Sequence, residues 1–203
     1  MILKNLAAVC NAHKRIFLYE GRERSSVQWA GDGKAFYPLH GIPRLDGDTI
    51  QMIFSVPEKQ RSKYDIQELA LPGYLDFQDV PDRGEVQLRP EELSIGYEDA
   101  VLYPVRTRRG LMFYNPIYLR PLNDKLGAIE MYERESPTGM IYFAAKAGTF
   151  LEAIILPEDV NEEKLLRKLQ DLTADMETTL HYQTPAEDAA QIKVDADTGE
   201  VIA

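Results

Sequence analysis

Two stretches of the chain agree in residue type and order, and both carry the alternation of a strand meander. The first is IFLYEGRERSSVQWAGDGKAFYPLHGIP, residues 16–43; the second is IEMYERESPTGMIYFAAKAGTFLEAIILP, residues 129–157. Ile16 matches Ile129, Tyr19 matches Tyr132 and Glu20 matches Glu133 at an offset of 113. One inserted loop residue then sets Trp29 against Phe143, Ala30 against Ala144 and Pro43 against Pro157. Each stretch follows a segment with helical spacing: Leu3, Leu6, Ala7 and Cys10 before the first, and Ile117, Leu119, Leu122 and Leu126, opened by Pro116, before the second. A three-strand antiparallel meander needs a layer over its apolar face, so the expected fold is α+β, with antiparallel sheets packed with helices and a duplicated helix-plus-three-strand unit.

Between the two stretches, AVLYPV (100–105) and LMFYN (111–115) predict a β-hairpin, with an irregular insertion over 44–99 that Pro57, Pro72, Gly73, Pro81, Gly84 and Pro90 interrupt. Inside the insertion a helix is expected near 46–55, capped by Asp46 or Asp48, with a helical turn near 58–69 and a short strand at EVQL.

This twofold arrangement resembles the DNA sliding-clamp domain. The better match is YNPIYLRPLNDKLGAIEMYERESPTGMIYFAAKAGTFLEAIILPED, and the resemblance spans about residues 1–43 and 100–157. It implies a non-enzymatic binding or assembly protein of a DNA clamp-like, replication-associated kind. It also implies basic side chains facing a duplex, for which the chain offers Lys4, Lys14 and Arg15 at the first helix and Arg120 and Lys125 at the second.

Charge divides the chain. The formal net charge is -10, from 33 acids and 23 bases. Residues 1–157 hold 21 acids against 19 bases and residues 158–203 hold 12 against 4, so the body is close to neutral and the C-terminal part is acidic. The expected organisation is a single α+β domain over 1–157 (repeat units about 1–43 and 100–157), a packed C-terminal helix over 158–182, and an acidic, mobile tail over 183–203. In that helix Leu165, Leu169, Leu172, Met176 and Leu180 form an apolar stripe, suited to packing on the body or to a coiled-coil dimer seam.

The strongest basic cluster is Arg106, Arg108 and Arg109 at the hairpin tip with Lys59, Arg61 and Lys63 in the insertion. Brought together, these six side chains would grip a phosphate backbone or an acidic peptide. Trp29, Tyr37 and Tyr114 are the candidate aromatic anchors for a partner, the alternative being core packing. Catalytic patterns are sparse. GDGK at 31–34 lacks the frame of a phosphate-binding loop, and Cys10 and His13, three apart, show no orienting partner in the sequence. The acid pairs Asp46/Asp48, Glu91/Glu92 and Glu98/Asp99 would hold a metal ion only if folding converged them.

A protein partner is therefore expected, with DNA and a homo-oligomer as further partners, and with no cofactor, no catalytic residue and no metal. Two other functions stay open: a soluble protein-binding domain without a nucleic-acid role, and a metal-dependent enzyme. No apolar run approaches the roughly 18 residues of a membrane span, and one cysteine makes no internal disulfide, so a cytoplasmic location is expected.

Overall fold

The computed structural model describes residues 1–21, 27–89, 91–160, 162–183, 193–194 and 201–202. They form two compact units, Met1–Asp159 and Val160–Ala203.

The first unit opens with α1 (Leu3–His13), whose Leu6, Ala7, Val9 and Cys10 are buried on one face. The helix ends at Lys14, which takes a left-handed conformation (φ 54°) so that its N–H reaches back to Asn11. There follow β1 (Arg15–Glu20), β2 (Trp29–Gly31), β3 (Ala35–Pro38) and α2 (Gly47–Ile53), the last capped by the Asp46 carboxylate, which accepts the Thr49 N–H at 2.8 Å. A 3-10 run, Glu58–Lys63, leads into β4 (Asp65–Ala70). Then come β5 (Val86–Leu88), β6 (Ile95–Tyr97), β7 (Ala100–Thr107) and β8 (Gly110–Tyr114). A second 3-10 run, Pro116–Ala128, precedes β9 (Ile129–Glu135), β10 (Ile141–Ala147) and β11 (Phe150–Ile155).

Eight of these strands make one sheet in the order β4-β1-β2-β3-β11-β10-β9-β5, and β6-β7-β8 make a smaller one. The large sheet is mixed. Its pairs are antiparallel except β1 with β4, which run parallel with Arg15 opposite Asp65. At its centre β3 meets β11, with Phe36 opposite Ile154 and Ala35 opposite Ile155. Successive side chains on a strand point to opposite faces, and here both faces are covered. Leu6, Val9, Ile16, Leu18, Tyr118, Leu122, Phe143 and Ile155 share one core with α1 and the second 3-10 run. Tyr19, Trp29, Phe36, Leu75, Tyr142, Leu151 and Ile154 form the other. Burial on both faces explains why β10 and β11 read as nearly continuous apolar runs.

The second face is closed by residues 71–85, which cross it without a strand. Arg134 of β9, 1% exposed, donates to the carbonyls of Asp76 (3.1 Å), Gln78 (2.8 Å) and Asp79 (3.2 Å) and pairs with Glu85 at 2.8 Å. Glu85 is bonded by Lys146 as well, whose ammonium lies 5.1 Å from the Tyr132 ring centre. The Asp76 N–H donates to the Tyr142 hydroxyl at 3.0 Å, and the Leu151 N–H to Asp79 at 2.7 Å. A buried guanidinium is tolerated only when its donors are filled, and this strap of backbone carbonyls fills them.

The duplication expected from the sequence is corrected. There is no repeated helix-plus-three-strand unit: β1, β2 and β3 have 6, 3 and 4 residues against 7, 7 and 6 in β9, β10 and β11. The second segment opens with a 3-10 run rather than an α-helix. Pro121 inside it lacks the N–H an α-helical turn would use, and Asn115 caps its start by accepting the Ile117 N–H. Nor is the sheet closed or curled as a clamp requires. It is open, with β4 added in parallel at one edge and β5 at the other, so the expectation of purely antiparallel sheets also fails. The shared residue pattern reflects alternation and turn glycines, which any meander has.

The second unit contains α3 (Glu162–Gln183) and a two-strand pair, β12 (Lys193–Val194) with β13 (Val201–Ile202). On α3, Leu165 is buried, while Leu172, Met176 and Leu180 are exposed. Most of the tail expected to be mobile lies outside the described residues.

Candidate functional site

The six basic residues singled out in the sequence fall into two separate groups. Lys59, Arg61 and Lys63 stand exposed on the 3-10 run that enters β4, and among the described residues they make no ion pair. Arg106, Arg108 and Arg109 lie at the β7–β8 turn, bonded to acids: Arg106 to Glu91 at 2.5 Å, Arg108 to Glu133 at 2.6 Å and Arg109 to Glu135 at 2.7 Å. Glu133 and Glu135 belong to β9, six strand steps from β4 across the large sheet, or roughly 29 Å at the usual strand spacing. Glu133 is 1% exposed and also accepts the Arg108 backbone N–H at 2.9 Å. Its bond and its charge hold the Arg108 guanidinium above its ordinary pKa.

The three aromatic candidates are buried. Trp29 meets Phe77 edge to face at 4.9 Å. Tyr37 has no exposure, donates its hydroxyl to the Tyr118 carbonyl at 2.7 Å, and has its pKa pushed up by burial. Tyr114 packs between Tyr103 and Phe143. All three serve the two cores in this structure.

A different feature emerges at the C-terminal end of α1. A groove of about 690 Å³ lies there, entirely within the first unit, floored by Val101, Leu102, Pro116 and Ile117. Its polar side chains are His13, Asn115, Arg120, Glu98, Asp99, Glu158 and Asp159, the last two also holding Lys34 at 3.4 and 3.6 Å. Glu98 sits at φ 52° in the turn between β6 and β7, a left-handed conformation that places this acid and Asp99 at the groove.

His13 is held by an aspartate that the sequence did not point to. Its Nδ1 lies 2.6 Å from Oδ2 of Asp32, whose side chain is 1% exposed. The other oxygen, Oδ1, accepts the backbone N–H groups of Lys34 and Ala35, both at 3.0 Å. A carboxylate so engaged only accepts hydrogen bonds, so the proton between the two lies on Nδ1, and in the neutral imidazole Nε2 is then the acceptor that faces away from Asp32. The signal was the Gly-Asp-Gly turn. At Gly31 a Cβ would lie 1.8 Å from the Ala35 carbonyl oxygen, and Gly33 has φ 92°, so only this tight turn brings Asp32 under the helix end.

The chemistry here is that of an oriented imidazole beside acids. Cys10, the other half of the pair noted in the sequence, is fully buried, and burial followed by the nearby Asp32 charge pushes its thiol pKa up, which makes it inert. Tyr118, near the same carboxylate, is likewise raised, mainly by burial. The groove lining contains no serine, threonine or cysteine to serve as nucleophile.

The acid pairs do not converge. Asp46 caps α2, Glu91 holds Arg106, and Glu98 with Asp99 stays at the β6–β7 turn. Among the described residues no group of three or more histidine, cysteine or acidic side chains is placed to hold a metal ion. Among them, too, no helix is long and apolar enough to cross a membrane.

No family model matches the chain, and no curated protein and no solved structure matches it either. With an open mixed sheet and no solved clamp to match, the clamp resemblance and the DNA clamp-like, replication-associated function it implied are withdrawn. What stands is an α+β fold built on an eight-stranded mixed sheet.

Proposed function

We propose that the chain is a protein-binding domain without a nucleic-acid role, and that the groove beside His13 receives a segment of the partner. The groove itself carries this reading. An apolar floor with a few convergent polar groups is the usual make-up of a recognition site. Around it Glu98, Asp99, Glu158 and Asp159 outnumber Arg120 and Lys34, with the His13 ring held in place by Asp32. A lysine- or arginine-bearing segment with an apolar neighbour meets those demands, whereas phosphate would be repelled. The arginines at 106–109 point the same way, because their acid partners cancel the positive field that phosphate binding needs. A single buried, free cysteine suits a reducing, cytoplasmic setting.

The test uses short peptides displayed with randomised flanks around a central lysine, arginine, glutamate or alanine, and the full chain as bait. Enrichment of basic centres, lost in Glu98→Gln/Asp99→Asn, is the expected result. Salt-sensitive binding of duplex DNA at low ionic strength, or selection blind to the groove substitutions, would overturn it.

A further inference from the structure

We infer that α3 of the second unit pairs antiparallel with α3 of a second copy of this chain. Leu169, Leu172 and Met176 continue from the buried Leu165 at four, three and four residues, the spacing of a heptad seam. Leu172 and Met176 are 58% and 66% exposed, large apolar side chains that an isolated helix leaves in water.

Charge along the helix selects both the occupant and its direction. Its first two turns, residues 162–168, carry Lys164, Arg167 and Lys168 against Glu162 and Glu163, whereas the remainder carries Asp171, Asp175 and Glu177 with no lysine or arginine. Two parallel copies would set like against like. Reversed, the weakly basic start of each faces the acidic remainder of the other, and the two helix dipoles also oppose favourably. Lys168 and Asp175 occupy the same heptad position, one heptad apart, beside the seam. In an antiparallel pair equivalent flanking positions meet across the interface, so Lys168 faces Asp175 of the second copy, twice over. Among the described residues neither side chain makes an ion pair within its own chain.

Register follows from the same pair. When Leu169 of one helix lies against Leu172 of the other, both Lys168–Asp175 contacts form. Sliding by one heptad brings Asp175 against Asp175, which the charges forbid. The free seam, Leu169 to Met176, is about one heptad long, so the expected complex is weak, with a dissociation constant in the micromolar-to-millimolar range.

Sedimentation of the full chain from about 1 µM to about 1 mM tests this, spanning that affinity range. A concentration-dependent dimer is expected. Leu172→Glu should abolish it, with helicity checked by circular dichroism since the site is exposed. Lys168→Glu and Asp175→Lys should each weaken it by about tenfold, and the double exchange Lys168→Glu/Asp175→Lys should restore it, because two exposed pairs are lost and then remade. A monomer at the highest concentration overturns the proposal, as does a dimer indifferent to Leu172→Glu. A dimer lost in Leu172→Glu but unmoved by either single charge change overturns the antiparallel arrangement.

Discussion

Asp32, in a turn between two strands, holds His13 at the end of a helix across 2.6 Å, although nineteen residues separate them in the chain. The contact ties α1 to the centre of the large sheet and fixes which imidazole nitrogen faces the groove. Asp32→Asn keeps an oxygen for the Lys34 and Ala35 N–H groups but turns an amide toward Nδ1. Leaving one buried donor or acceptor unmatched costs about 1–3 kcal/mol, so urea unfolding of this variant should show a loss of that size. In the parent protein, nitrogen NMR of the neutral imidazole should report its proton on Nδ1, facing Asp32. The opposite tautomer would show that the proton is not directed at Asp32.

Arg134 is the clasp of the 71–85 strap. Arg134→Met removes the donors to three carbonyls and to Glu85, leaving those acceptors unfilled in a buried place. Breaking one partner of a buried ion pair costs about 3–5 kcal/mol. Hydrogen exchange should accelerate over residues 71–85 before the rest of the sheet is affected. Unchanged exchange there would mean that Leu75 and Phe77 alone hold the strap.

The Asp46 cap gives a pH signature. Its carboxyl pKa is held below 3.8, first by the hydrogen bonds it takes from Thr49. A lowered folded pKa means the cap's contribution is complete above the unfolded value and fades as pH falls through the folded one. The stability gap between the parent and Asp46→Ala should therefore be present at pH 7 and shrink below about pH 3.8, the unfolded reference. A gap that persists under strong acid would locate the effect in packing.

Gly31→Ala should be among the most damaging single changes in the first unit. The new methyl would lie 1.8 Å from the Ala35 carbonyl oxygen, a backbone atom that moves only with the turn. A loss of roughly 3 kcal/mol in chemical denaturation is expected, at the upper end for overpacked sites. The same substitution at Gly41, where nothing lies within 4 Å of the added methyl but φ is 72°, should cost less.

Arg108 and Arg106 separate structure from binding at the β7–β8 turn. Arg108→Ala strands the buried Glu133 carboxylate, whereas Arg106→Ala frees a Glu91 that water can reach. Thermal unfolding should respond strongly to the first and little to the second. Equal responses would mean that Glu133 has found another partner.

Much of the local structure was legible. The apolar spacing of Leu3, Leu6, Ala7 and Cys10 gave α1, the alternation in 100–115 gave the β7–β8 hairpin, and Asp46 or Asp48 as a cap announced α2. These features are local, set by spacing and caps within a turn or two. The sequence misled where similar local patterns were read as a shared tertiary unit. Pro121 and the short β2 and β3 broke the supposed repeat, and nothing in 65–70 showed that the strand there would join β1 in parallel. The six basic residues were grouped by type, but grouping requires the fold, and the fold set them at opposite parts of the sheet with three of them facing acids.

By itself, the sequence determined that this chain is α+β, that its body is nearly neutral with an acidic C-terminal part, and that α3 has one apolar stripe. Only the tertiary structure decided the order of strands, the partner of His13 and the position of the groove. The reason is physical: periodicity and charge are properties of neighbouring residues, whereas the Asp32–His13 contact and the strap over Arg134 depend on which distant backbone groups the packed sheet brings within hydrogen-bond reach.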